Sequence, residues 1–107
     1  MTDKIVVLCT CATADEAERL ARELVGARLA ACVSIVPGLR SFYRWQGKLE
    51  DAAEHLLLIK SSRERFAELR AAIERLHSYD VPEVVALPIV DGAPNYLEWL
   101  QKNLENE

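Results

Sequence analysis

The 107 residues predict an α+β fold of element order β-α-β-β-α-β, followed by a short C-terminal helix. Three observations carry that prediction. Strand-like apolar runs alternate with helical stripes. Capping-box pairs, Thr13/Glu16 and Ser61/Glu64, stand before both stripes. The two middle runs meet at a turn signal, Gly47-Lys48.

The elements follow in order. Ile5 to Cys11 begins apolar and β-branched and reads as a buried strand. Thr13 supplies an N-cap oxygen, and Ala17, Leu20, Ala21, Leu24 and Val25 recur at helical spacing, with Gly26 near the helix end. Ala31 to Gln46 is extended, broken by a bend or bulge at Pro37-Gly38. Leu49 to Ile59 returns as its hairpin partner. Ser61 then caps a second helix whose stripe is Phe66, Leu69, Ile73 and Leu76. Val84 to Val90 is a final core strand, with Pro88 marking an edge or irregularity, and Pro94 opens the last helix through Leu97, Leu100 and Leu104. Two β-α-β halves joined by a hairpin make the ferredoxin-like split motif, with both helices on one sheet face. Residues 1–107 are expected to form one domain.

Leu56-Leu57-Leu58-Ile59 and Val84-Val85-Ala86-Leu87 are apolar at successive positions. Strand side chains alternate between faces, so both faces of the sheet carry apolar groups. Two helices cover one face; the C-terminal helix and self-association are expected to cover the other.

Composition narrows the function. Half of the residues are apolar and 28% are charged, which argues against disorder. Thirteen basic against seventeen acidic residues give a net charge of −4, opposing a nucleic-acid footprint. No apolar run reaches the ~18 residues of a membrane span. No secretory signal is visible, and three cysteines without framework spacing fit reduced thiols, so a cytoplasmic location is expected.

Chemistry-bearing residues are few. Cys9 and Cys11 share one strand face, as paired soft ligands or as small buried hydrophobes; Cys32 reads as core. His77 ends the second helix, as a histidine favoured by the helix dipole or as an imidazole ligand, and His55 reads as an exposed strand residue. Tyr43 and Trp45 share a face. They either line a pocket with Lys48 and Glu50 at its rim or pack across the hairpin or a subunit interface. No zinc-cage spacing, phosphate loop or nucleophile elbow is present. The loop Cys11-Ala12-Thr13-Ala14 lacks the cation that acylphosphatase chemistry needs. A Cys9/His77 nucleophile–base pair has no supporting motif and would require an exposed, low-pKa thiolate. Catalysis is not expected.

Several stretches together resemble one family. They are Val6-Val7-Leu8-Cys9-Thr10, Leu29-Ala30-Ala31-Cys32-Val33 leading into Ile35-Val36-Pro37-Gly38, Tyr43-Arg44-Trp45-Gln46-Gly47-Lys48-Leu49, His77-Ser78-Tyr79-Asp80-Val81-Pro82-Glu83 and Tyr96-Leu97-Glu98-Trp99-Leu100. In this order they resemble the CutA divalent-cation-tolerance family over nearly the whole chain. The resemblance implies a stable homotrimer of ferredoxin-like protomers, similar in architecture to PII signalling proteins, linked to copper tolerance and without established enzymatic activity. It also implies Cys9 and His77 as ligands for copper or another divalent metal. The family's first helix-end histidine is replaced by Leu76, and its usual proline after the second by Ser78. A two-ligand set from one chain implies weak binding, with Cu(I) favoured over Cu(II) where thiolate contact dominates. The second helix is expected to end at the sheet end opposite the end of the first strand, leaving Cys9 and His77 apart within one protomer. The alternative function is a PII-like signalling module that takes a small anionic ligand in inter-subunit clefts beside Lys48 and reports it to an unidentified protein partner.

Overall fold

The computed structural model describes residues 1–105. Its elements are β1 (Lys4–Cys11), α1 (Ala14–Gly26), β2 (Cys32–Trp45), β3 (Lys48–Ser62), a 3-10 turn (Arg63–Arg65), α2 (Phe66–Leu76), β4 (Val85–Pro88) and α3 (Pro94–Leu104). The sheet has strand order β2-β3-β1-β4, and all its pairings are antiparallel. This is the α+β arrangement that the sequence predicts.

Strand alternation builds the main core. Ile5, Val7, Cys9 and Cys11 point to the face on which Leu57 and Ile59 lie, in register Val7 to Ile59 and Cys9 to Leu57. Against them pack Ala17, Leu20 and Leu24 of α1 and Leu69, Ala72 and Ile73 of α2. Each fully buried Leu or Ile contributes about 1.5–3 kcal/mol through removal from water. Thr13 caps α1 as predicted, its Oγ1 accepting from the Glu16 N–H at 3.1 Å.

The second face is covered unevenly. Lys4 lies on the same face as Val6 and Leu8 and donates to Gln101 Oε1 of α3 at 2.7 Å. There α3 buries Leu100 and Leu104 against Ala31, beside Ile89 and Leu97. Beyond α3, Val85 and Leu87 remain 46% and 49% exposed, opposite Leu8 and Val6 in the ladder.

Three local details differ from the sequence expectations, and a fourth agrees with them. Ser61 and Glu64 form no capping box, because β3 runs on to Ser62. Ser61 is a buried ladder partner of Ile5, and its Oγ donates to the Leu29 carbonyl at 2.6 Å. With that hydroxyl committed, α2 begins at Phe66 without a side-chain cap. The last strand is short and exposed rather than a core strand. It pairs only with β1 at the sheet edge, where a proline at position 88 is tolerated. The hairpin turn falls at Gln46-Gly47, both at positive φ (51° and 80°), one residue before the predicted position. The Pro37-Gly38 break is a bulge between Val36 and Leu39, with Gly38 at φ 79°.

Candidate functional site

His77 follows α2 directly, its backbone N–H closing on the Ile73 carbonyl at 2.9 Å. There its ring meets the end of β1. The sulfurs of Cys9 and Cys11 and a ring nitrogen of His77 lie within 4.8 Å of one another, and all three residues are buried. The expectation that Cys9 and His77 stand apart is therefore corrected. β3 runs antiparallel to β1, and α2 reverses direction once more, so α2 runs parallel to β1 and both terminate at the same end of the sheet. Cys11 is the unforeseen third member, although its spacing from Cys9 already put both thiols on one face.

The hydrogen bonds define the protonation of the cluster. The backbone N–H of Tyr79 donates to His77 Nδ1 at 3.0 Å, so the ring proton sits on Nε2 and is donated to the Thr10 carbonyl at 2.8 Å. Cys11 Sγ lies 3.8 Å from the same Nε2. The neighbouring Cys11 thiol, followed by burial, pushes the Cys9 thiol far above the usual cysteine range. Fully buried and held protonated, Cys9 is no exposed thiolate nucleophile.

Glu16 closes the cluster from α1. Its Oε2 accepts from the Ser78 backbone N–H at 2.7 Å and stands 3.8 Å from His77 Nδ1. Burial opposes its ionisation, but the bonds from Ser78 prevail and hold the carboxyl below its ordinary value of 4.5. Sequence alone assigned Glu16 to helix capping, and no local signal tied it to residue 78. Cys32 and His55 are half-buried and outside the cluster.

Beside the cluster opens a cavity of about 760 Å³. Thr10, whose carbonyl holds the imidazole, lines it together with Tyr43 and Trp45 of the hairpin. In the single chain Tyr43 and Trp45 thus face a common cavity. The cavity's charged residues are Glu54, Asp80 and Glu83; Lys48 and Glu50 are not part of its lining. The Tyr79 hydroxyl donates to Glu54 Oε2 at 2.7 Å, and burial, then that carboxylate, holds the phenol above its usual range.

A model of the CutA1 divalent ion tolerance protein family matches residues 5–103. The Divalent-cation tolerance protein CutA of Thermus thermophilus is 50% identical over 98 residues, spanning 92% of this chain and 95% of that protein. A solved structure of the divalent cation tolerance protein from Thermus thermophilus superposes with a TM-score of 0.91 at 49% identity, covering 94% of this chain and 97% of that one. Protein CutA, chloroplastic, of Arabidopsis thaliana is 44% identical over 95% of this chain and 56% of its own longer one. A structure described as the periplasmic divalent cation tolerance protein CutA of Archaeoglobus fulgidus gives a TM-score of 0.93 at 38% identity, covering 95% of this chain and 99% of that one. The last two overturn the expectation of a cytoplasmic location. A sequence relative named for the chloroplast and a structural relative named for the periplasm are similar to this chain, so a cytoplasmic location does not follow from its sequence. By sequence and by fold, this chain belongs to the CutA1 divalent ion tolerance protein family.

Proposed function

We propose that this chain is a non-enzymatic protein of divalent-cation tolerance, a single domain over residues 1–107 that acts as a homotrimer and binds copper weakly. One observation supports the metal site above the others: two thiols and an imidazole, soft donors suited to Cu(I), converge within 4.8 Å in a member of this family. Cys9 and His77 are the ligands carried over from the resemblance, and Cys11 joins them by geometry. The residues fit such an ion in kind and resist it in protonation state. Cys9 must surrender a proton that its surroundings retain, and His77 must free a nitrogen from Thr10 or Tyr79. Weak binding follows from that competition. Trimer formation is supported by the half-exposed Val85 and Leu87 on a sheet face that α3 covers only in part. The comparisons give nothing that favours the anionic-ligand alternative over this reading.

Equilibrium dialysis of Cu(I) under reducing conditions tests the site with wild type, Cys9→Ser, Cys11→Ser and His77→Ala. Uptake should fall in each variant. Equal affinity and stoichiometry in all four proteins would remove these residues from the site. Light scattering tests the assembly, and a particle of 12.0 kDa at micromolar concentration refutes the trimer.

A further inference from the structure

The far end of the sheet carries a polar recess of its own. Lys4 pairs with Ser62 where β1 begins and β3 ends, whereas Cys11 of the thiol–imidazole cluster pairs with His55 at the other end of that ladder. At the Ser62 end, the entry to α2 and the last turn of α3 enclose about 310 Å³. The lining is Ser62, Glu64, Arg65, Gln101, Leu104 and Glu105.

Ser62 is the informative residue. Ser61 is turned into the core, so strand alternation turns Ser62 to the opposite face, toward α3. Its residue is only 4% exposed. It occupies the N-cap position of the turn Arg63–Arg65, which runs directly into α2, yet its hydroxyl caps no N–H. Nor does that hydroxyl bond to any other described residue. Because no fully buried side-chain oxygen among them lacks a partner, the Oγ opens into the recess that Ser62 lines. A hydroxyl at such depth is costly without a partner. The backbone beside it is in the same position. The Arg63 N–H is taken by the Asp3 carbonyl, but the Glu64 N–H, next in the turn, meets no carbonyl. An unused N-cap hydroxyl and an uncapped helix start together suit an oxyanion.

The charges on the lining narrow the occupant. Arg65 donates one guanidinium N–H to the Leu104 carbonyl, which holds the group at the recess with further donors remaining. Glu64 enters no ion pair among the described residues, and Glu105 accepts only a neutral bond, from Gln101 Nε2 at 3.1 Å. A simple anion would meet these two carboxylates, and a simple cation would meet Arg65 and the helix start. A molecule that carries both charges meets neither penalty. Leu104 is the apolar member of the lining and no aromatic ring takes part, so the occupant is small and polar.

We propose that this recess binds a small zwitterion of the α-amino acid type. Its carboxylate accepts from the Ser62 hydroxyl, the Glu64 N–H and the Arg65 guanidinium, and its ammonium group donates to the Glu64 and Glu105 carboxylates. The site is separate from the copper proposal and does not depend on it.

The test is an NMR titration of L-serine into the isotope-labelled full-length protein at low ionic strength, read at the backbone amides of Glu64 and Arg65. Phosphate, acetate and methylammonium are titrated separately as single-charge probes. L-Serine should shift both amides saturably, and each single-charge ion should bind about tenfold more weakly. Ser62→Ala should weaken L-serine binding about tenfold, the scale of one hydrogen bond to a charged group. Glu64→Gln, at an exposed position where folding is not at risk, should weaken it by a smaller factor. Glu98→Gln, on the exposed face of α3 and outside the recess, should leave it unchanged. Spectra of each variant without L-serine check that the fold is intact. Absence of a saturable shift at Glu64 and Arg65 overturns the proposal. So does binding of phosphate, acetate or methylammonium as tight as that of L-serine, or an affinity indifferent to both Ser62→Ala and Glu64→Gln.

Discussion

Replacing His77 by alanine measures how firmly the proposed ligand is held before any ion arrives. The imidazole side chain is fully buried and joins two backbone groups, accepting from Tyr79 N–H at 3.0 Å and donating to the Thr10 carbonyl at 2.8 Å. Truncation strands a donor and an acceptor, each worth about 1–3 kcal/mol if left unpaired. The Cys9 thiol, 3.9 Å from that carbonyl, is a weak substitute. Water entering the vacated space would offset part of the loss, so the expected destabilisation of the metal-free protein is about 3 kcal/mol. With a guanidinium slope of about 4 kcal/mol/M, the unfolding midpoint should drop by about 0.8 M at matched protein concentration. His55→Ala, half-buried on β3, is the comparison and should move the midpoint by no more than about 0.1 M. Equal shifts for the two variants would refute the reasoning, because they would mean that neither hydrogen bond at His77 contributes to stability. The same bonds oppose metal ligation, so a large shift also predicts slow or weak copper uptake at neutral pH.

Further outcomes follow from the fold. The Glu16 carboxyl titrates below its ordinary 4.5, so between the folded and unfolded pKa values the folded protein binds fewer protons than the unfolded chain. Its contribution is complete above pH 4.5 and is lost as pH falls through the depressed value. Denaturant midpoints measured from about pH 7 to about pH 3 should therefore fall more steeply for wild type than for Glu16→Gln, and parallel curves would contradict this. At the entry to α2, Glu64→Gln should be neutral within about 0.5 kcal/mol, since no capping box forms there. Thr13→Ala and Ser61→Ala should each cost about 1 kcal/mol, the first through a lost cap and the second by stranding the Leu29 carbonyl. A loss in Glu64→Gln matching that in Thr13→Ala would restore the capping box.

The sequence by itself determined what depends on neighbours along the chain. Thr13 caps α1 because its oxygen needs to reach only three residues ahead. Pro37-Gly38 bulges and Gln46-Gly47 turns because backbone dihedrals there answer to local residue type. The apolar character of successive β3 positions required cover on both sheet faces, which α3 in part provides. Tertiary structure decided wherever a side chain had a local option and a distant one. Ser61 took the Leu29 carbonyl instead of a helix end because its place in the β1–β3 ladder turned it inward. Glu16 took Ser78, 62 positions away. Cys11 and His77, 66 residues apart, meet because two reversals of chain direction bring α2 and β1 to one end of the sheet. That consequence of antiparallel pairing was derivable from the element order, yet no residue at either position announces it. Periodicity records which way a side chain points; only the assembled sheet and helices decide what stands opposite.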